Sequence, residues 1–452
     1  MKKLIILFIT LQLNNSIFAQ QQQRLDSLFT ALQNKNSFNG NVLITEKGEV
    51  ILEKSYGLQN IKKNIKLTDQ SVFNLASVTK QFTASAILLL ENEKKLRLSD
   101  DIATYIPELS FYKGIKIEHL IHHTSGLPDY MKLLSEKADE SKIVTNDYVI
   151  ELFLKEKPNL LFNPNDKFEY SNTGYLFLAT IIERVSNTTY SNFLKQKFFL
   201  PLNMNNTNVF FLYKDHLNIP DLAVGYSQES FGEELTSDIE YVKYFDGAYG
   251  QGRIYSTAKD LLKWAEFLKS NTLFTKAQTN TVISNYQLNS KENTNYGFGL
   301  FIGESKKYGK IINHSGGWGG YTTFLEQHLT NDKIIILLQN NSLVTTKIPI
   351  EEVRKILYNE PLKSDKSIVL KTEELDKYLG SYVNTDIPLK ISITKKGNIL
   401  YSQATDQMEI PMDSYGDHVF KFEPADIILT FNIEEKSFEL AQEGMKFVFK
   451  KE

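Results

Sequence analysis

Apolar positions along this chain follow three patterns in turn. The first is a single block. After Lys2 and Lys3, the stretch Leu4–Leu13 is largely apolar, and a short polar region then ends in Ala19. That layout is expected of a secretory signal peptide processed after Ala19. The apolar run is about half of the ~20 residues that a membrane span needs, so a cleaved leader is expected, not an anchor. The mature chain is then expected in the periplasm or outside the cell, with no integral span.

The second pattern is mixed. Arg24–Asn34 reads as a short helix. "NVLITEKGEVILEKSYGL" (Asn41–Leu58) places β-rich runs on either side of "KGE" and reads as a hairpin. Helical periodicity marks segments near Val149–Leu154, Gly174–Val185 and Ser256–Leu268, the last with Ser256 or Thr257 as cap. Short strand-like runs return late: "YGFGLFI" (Tyr296–Ile302), "KIINHSG", "YTTFLEQH" and "KIIILLQN". The helix "PIEEVRKILYN" follows. Strands from both ends of the segment, with helices inserted between them, predict an α+β fold and not alternating βαβ units.

The third pattern begins past Pro361. "PLKSDKSIVLKTEEL" reads as a linker, and beyond it the period becomes two. Ile387, Leu389, Ile391 and Ile393 alternate with other residues, as do Ile427, Leu429, Phe431 and Ile433, and then Met445, Phe447 and Phe449. One-sided alternation predicts an antiparallel sheet with one buried face, a small barrel or sandwich. The expected organisation is a leader at 1–19, a mixed unit at 20–360, a linker at 361–374 and a β unit at 375–452.

Bulk composition narrows the function. At 452 residues, two domains, or one large one with an appendage, are expected. The formal charge of −3 becomes −5 once Lys2 and Lys3 are removed, so no basic field exists for nucleic acid or anionic lipid. There is no cysteine, which excludes disulfides, a thiol nucleophile and lipid attachment at a cysteine.

The chemistry starts at "SVTK". Ser77 and Lys80 are three apart and share one face of a helix, ahead of the run "AILLL" (Ala86–Leu90), which is apolar on every side. At a helix start, unpaired N–H groups favour a developing alkoxide. Desolvation lowers a lysine pKa and makes the amine a base, or a close cation for another base. A capping serine with a snorkelling lysine is the competing reading of the same four residues. In "FEYSNTGY", Tyr170 and Asn172 stand before a second apolar helix. A nearby ammonium favours phenolate at such a tyrosine, and Asn172 offers a donor and an acceptor to an amide or ester. In "INHSGGWGGYTTF", glycines let a strand edge approach a ligand and lend an N–H to an oxyanion, worth about 3–4 kcal/mol in acyl-transfer sites.

Taken in order, "FNLASVTKQFTASAILLLENEKKLRLSDDIATYIPEL", "IEHLIHHTSGLPDY", "FEYSNTGY", "GRIYSTAKDLLKWAEFL" and "NHSGGWGGYTTF" resemble the serine β-lactamase-related hydrolases. That group includes class C β-lactamases, D-amino-acid-specific peptidases and some esterases. The resemblance covers roughly Leu25–Tyr358. It implies a helical region and an antiparallel sheet around a cleft, and a small β domain often appended. It implies Ser77 as the acylated nucleophile, Lys80 as its proton shuttle and Tyr170 as general base. Asn172 would bind the substrate amide, and the N–H groups of Ser77 and Gly317 would hold the oxyanion. The edge-strand triplet would be His314-Ser315-Gly316, with His314 and Gly316 facing substrate. β-Lactamases carry Lys-Thr-Gly there. A histidine at its ordinary pKa of about 6.5 is mostly neutral at pH 7 and grips a carboxylate poorly.

Other candidates are weaker. His119, His122 and His123 in "HLIHH" lack an acidic partner in register, so no metal is expected. "GGWGG" lacks the Lys-Ser/Thr of a phosphate loop, and Trp318 is expected at a site rim or in packing. Tyr249 and "GQGR" (Gly250–Arg253) are expected to form a turn at or near the cleft. The expectation is therefore an exported, cofactor-free serine hydrolase acting on small-molecule or peptide substrates, cell-wall fragments among the candidates, with weak or no β-lactam turnover. Its rivals are a true β-lactamase and a non-catalytic binder of cell-wall peptide or glycan.

Overall fold

The computed structural model describes residues 2–137, 142–213, 219–227, 234–235, 240–270, 272–343, 345–362, 367–384, 389–405, 407–425, 427–442 and 445–452. The chain divides into two compact units between Pro349 and Ile350.

The first unit opens on a helix, α1 (Lys2–Asn34), of which the expected Arg24–Asn34 is the final third. That third is anchored. Leu25 and Phe29 are fully buried, and the Phe29 ring lies 4.8 Å from Phe38 and 5.6 Å from Tyr56. Asp26 accepts from the Tyr56 hydroxyl at 2.8 Å. Among the described residues, no helix is long and apolar enough to cross a membrane.

The hairpin β1 (Gly40–Glu46) and β2 (Glu49–Tyr56) forms as expected. It joins four late strands: β3 (Phe301–Ser305), β4 (Gly309–Trp318), β5 (Tyr321–His328) and β6 (Lys333–Gln339). All neighbours are antiparallel, in the order β3-β4-β5-β6-β1-β2. The two ends of the segment thus close one sheet at β1–β6, where Gly40 faces Gln339 and Glu46 faces Lys333. Every residue of β6 is buried. That explains why "KIIILLQ" reads as a continuous apolar run and not an alternating one.

The helical block lies between. It contains α2 (Lys80–Asn92), α3 (Asn146–Glu156), α4 (Asn172–Ser186) and α5 (Ala258–Phe267). Thr145, Ser171 and Thr257 cap three of them by accepting from N–H groups of the first turn. Helix α2 packs on α4, and α5 lies on β1 and β6. The Phe82 ring stacks on Trp264 at 3.9 Å, and the Trp264 indole N–H donates to Gln81 at 3.0 Å. The expected strand Tyr296–Ile302 is strand only from Phe301 onward. Before that the chain folds back, with Gly297 N–H donating to the Leu300 carbonyl at 2.8 Å. Gly299 takes φ +73° and passes so near the start of α2 that a Cβ there would meet the Lys80 carbonyl at 2.5 Å. Close approach to α2 overrides the β-rich composition.

The second unit contains α6 (Ile350–Leu357), a 3₁₀ segment Thr372–Tyr378 and eight strands. These are β7 (Gly380–Val383), β8 (Lys390–Lys396), β9 (Ile399–Ala404), β10 (Ile410–Ser414), β11 (Val419–Phe422), β12 (Ile427–Asn432), β13 (Ser437–Gln442) and β14 (Met445–Lys451). They form a closed antiparallel barrel, with Tyr382 of β7 opposite Lys451 of β14. Ile391, Ile393, Leu429, Phe431 and Phe449 are buried, as the alternation predicts, whereas Leu389, Ile427, Ile433 and Phe447 are half-buried. Ile387 and part of the expected linker, 363–366, lie outside the described residues. Phe431 meets four rings, those of Tyr378, Tyr382, Phe420 and Phe438, at 4.9–5.9 Å.

Phe431→Ala is expected to destabilise the barrel by about 3–5 kcal/mol. If the two units unfold independently, limited proteolysis will show earlier cleavage within 350–452 and unchanged protection of 25–349. Equal loss of protection in both would show a single cooperative unit.

Candidate active site

Ser77 sits in a 3₁₀ turn, Ala76–Thr79, that runs directly into α2. The turn begins under strain. Ala76 holds φ +47°, a left-handed conformation that a residue with a Cβ seldom adopts. Asn74 Oδ1 accepts the Ala76 N–H at 2.8 Å. The Lys80 N–H bonds back to the Ser77 carbonyl, which sets the two side chains on one face.

Lys80 is wholly buried, at 0% exposure. Its Nζ donates to Ser77 Oγ at 3.1 Å, to Asn172 Oδ1 at 2.9 Å and to the Gln251 carbonyl at 3.1 Å. Three acceptors replace its water, and the Tyr170 and Tyr175 rings stand 4.8 and 5.5 Å from Nζ. Burial pushes its pKa well below the ordinary lysine value, with the Asp129 charge working against the shift.

Tyr170 and Asn172 flank Ser171, the N-cap of α4. The Ser171 N–H donates to His123 Nδ1 at 3.0 Å. The His123 ring lies 4.3 Å from Tyr170, 4.6 Å from Tyr296 and 5.1 Å from Tyr175. Tyr170 is 37% exposed, while its hydroxyl pairs with the Ser77 side chain. Burial raises the Tyr170 pKa, and the Ser77 hydrogen bond opposes the rise. The other two histidines of "HLIHH" serve locally. His119 Nδ1 accepts the Lys116 N–H at 3.2 Å, and His122 stacks on Tyr286 at 4.1 Å.

The strand β4 is second in its sheet, yet it presents an edge to the site. Its pairing with β3 ends at Asn313–Phe301, so residues 314–318 extend past that neighbour. Gly316 lies against the Ser77 turn. A Cβ there would meet the Leu75 carbonyl and Thr323 Oγ1 at 2.4 Å each. Gly317, in contrast, has open space around an added Cβ. His314 is 2% exposed, and both ring nitrogens are engaged, Nε2 with the Tyr296 hydroxyl at 3.1 Å and Nδ1 with the Ser315 carbonyl at 2.6 Å. Burial first, and Lys80 second, push its pKa down to about 3, so the ring is neutral at pH 7.

A cleft opens at Ser77, with Asn172, Gly317, Tyr130, Phe245 and Trp318 in its walls. Lys80, Tyr170, His314 and Gly316 are not among its lining residues. The structure thus gathers Ser77, Lys80, Tyr170, Asn172 and Gly317 at one place. It sets Gly316 behind them as a packing contact and His314 inside the protein.

Sequence reading missed the roles of two residues. Gln251 gives its carbonyl to Lys80, and its side-chain amide donates to the Tyr130 hydroxyl at 2.9 Å. Arg253, also at the cavity wall, forms a buried pair with Asp246 at 3.2 Å. Its guanidinium further donates to the Phe245 carbonyl at 2.5 Å. The signal available was "GQGR" itself. The partners of Gln251 are remote in sequence, those of Arg253 lie seven and eight residues back, and Tyr249, at the same turn, donates to Glu183 at 2.6 Å.

Comparison with known proteins finds relatives of the same fold. The family model described as Beta-lactamase matches residues 25–351. The chain is 32% identical over 440 residues to Penicillin-binding protein 4* of Bacillus subtilis (strain 168), covering 94% of this chain and 97% of that one. The octameric penicillin-binding protein homologue from Pyrococcus abyssi superposes with a TM-score of 0.67 at 21% identity, over 94% of this chain and 99% of that one. D-amino acid amidase from Ochrobactrum anthropi SV3, complexed with D-phenylalanine, gives 0.63 at 22% identity, over 75% and 99%.

Gly316→Ala is expected to cost about 1–3 kcal/mol of stability through overpacking against Leu75 and Thr323. By moving the strand off the Ser77 turn it should also lower kcat/KM about a hundredfold, the usual effect of a ~1 Å misplacement. Gly317→Ala should leave the melting temperature unchanged. Equal thermal shifts in the two variants would contradict the packing described for Gly316.

Proposed function

The chain belongs to the beta-lactamase family of serine hydrolases, and on that premise we propose that it is an exported hydrolase of uncharged esters or amides. The observation that carries the mechanism is Lys80 Nζ, fully buried and 3.1 Å from Ser77 Oγ. Ser77 Oγ attacks the substrate carbonyl carbon while Lys80, as free amine with its two N–H groups on Asn172 and the Gln251 carbonyl, accepts the Ser77 hydroxyl hydrogen bond and takes that proton. The opposed shifts of Lys80 and Tyr170 favour an amine beside a phenol over an ammonium beside a phenolate. Tyr170, bonded to Ser77, then relays the proton from Lys80 to the departing alcohol or amine as the C–O or C–N bond breaks. Water hydrolyses the Ser77 ester along the same route, and its proton returns to Ser77 through Lys80. The N–H groups of Ser77 and Gly317 hold the oxyanion, and Asn172 orients the substrate while accepting from Lys80.

Burial of His314 supports the restriction to uncharged substrates. A neutral, internally bonded imidazole stands where β-lactamase relatives carry a lysine, so a penicillin carboxylate finds no cation at this position. Export rests on the pattern of Lys2, Lys3, Leu4–Leu13 and Ala19.

Covalent labelling of Ser77 by a fluorophosphonate, read by intact mass, tests the nucleophile; an unlabelled folded protein would sink the reading. Lys80→Met should lower kcat/KM by about 10²–10⁴-fold. In the wild type, kcat/KM should rise with pH through the Lys80 pKa, because acylation needs the free amine. That rise should lie well below the ordinary lysine range, and Tyr170, shifted the other way, adds no loss near neutrality. An ascending limb centred at the ordinary lysine value would assign the base elsewhere. N-terminal sequencing of exported protein should begin at Gln20, and retention of Met1 would overturn the leader.

A further inference from the structure

The Ser77 cavity has a neighbour. A second pocket is lined mostly by apolar side chains, among them Leu212, Leu222, Val224 and Tyr321. Trp318, Arg253 and Asn74 line both spaces. They form the wall between them. Asn74 is tied to the Ala76 N–H, and Arg253 is held by Asp246 and the Phe245 carbonyl. Trp318 is the bulk of that wall. It ends β4 at a two-residue turn, Gly319 and Gly320, both at positive φ, and pairs across it with Tyr321. Its ring stands 5.3 Å from Tyr241 and 6.1 Å from Phe245, and the Arg253 guanidinium lies 5.6 Å from its centroid.

Charge around the cavity points one way. Arg253 is neutralised by the buried Asp246 carboxylate, and His314 is neutral. Asp129 places a negative charge near Lys80. A substrate carboxylate entering here would lose its water without an uncommitted cation among the described lining residues. The side of the substrate can be assigned as well. The departing group must receive its proton from Lys80 and Tyr170, and neither lines the cavity. The cavity therefore faces the acyl side.

We infer that Trp318 sets the acyl specificity of the site. The accepted acyl group is uncharged, apolar and compact, and Trp318 closes the second pocket to longer chains. This rests on Ser77 acylation as proposed above and adds the substrate class to it.

The test measures kcat/KM for 4-nitrophenyl esters with a constant leaving group and acyl chains from acetate to decanoate, for wild type, Trp318→Ala and Trp318→Phe. Wild type should peak at short or phenylacetyl groups and fall beyond. Trp318→Ala joins the two pockets, so its rate should keep rising, about fourfold for each methylene newly buried. Trp318→Phe keeps a ring in the wall and should track the wild type. Should Trp318→Ala fail to fold, Trp318→Leu is expected to move the optimum in the same direction by a smaller amount. In wild type, a glutarate half-ester should react at least about tenfold more slowly than the isosteric uncharged ester. Parallel chain-length profiles in wild type and the Ala or Leu variant would overturn the inference, as would equal or faster turnover of the half-ester. Fluorophosphonate labelling of every variant separates the two readings. Labelled proteins with parallel profiles overturn only the role of Trp318, whereas an unlabelled folded wild type overturns the acyl-enzyme itself.

Discussion

The site depends on taking one lysine out of water. Lys80 begins a helix in which ten of the 13 residues are buried, and it cannot reach solvent. An amine in such a place must be given acceptors or lose its proton. The fold does both. Ser77, Asn172 and the Gln251 carbonyl surround Nζ, while burial drives the pKa down. Those acceptors come from three separate parts of the chain, at the start of α2, the start of α4 and the segment before α5. Positioning the lysine therefore requires most of the first unit to be assembled. This separates it from a snorkelling surface lysine, whose stem is buried but whose head stays wet.

Backbone features around Ser77 serve the same end. Ala76 stays in a left-handed conformation, which costs on the order of 1–3 kcal/mol, and the Asn74 side chain holds its N–H there. Gly316 lets β4 lie directly on the turn. Gly299 lets the chain before β3 cross the Lys80 backbone at contact distance. Each is a local departure from ordinary preference, and each is tolerated because a packed sheet and a buried helix meet at that point. Strain concentrated beside one hydroxyl is characteristic of a site whose geometry is set before substrate arrives.

Electrostatically the site is quiet. His123 and His314 are both buried and both shifted downward, in part by Lys80 itself. Each has a structural task, His123 accepting from Ser171 and His314 joining Tyr296 to the Ser315 carbonyl. Arg253 is committed to Asp246. A cleft built this way distinguishes substrates by shape and apolar surface more than by charge. That suits the aromatic wall of Tyr130, Phe245 and Trp318.

Much of this was legible in the sequence, because it depends on local spacing. The three-residue separation of Ser77 and Lys80 sets both on one helical face, and the apolar run behind them requires burial. Alternation of two made three of the eight barrel strands visible, and "KGE" between β-rich runs made the first hairpin visible. Contacts between segments distant in sequence were decided only by the tertiary structure. Tyr296–Leu300 has strand composition, yet contact with α2 turns it back on itself. His314 reads as a substrate-facing residue by its place in a motif, yet the pleat of β4 points it into the protein beside Tyr296. Gln251 and Tyr130 are 121 residues apart and meet through one hydrogen bond. Periodicity records which way a residue faces within its own element. Whether a polar group then meets water, a partner or a substrate is determined by what packs against that element.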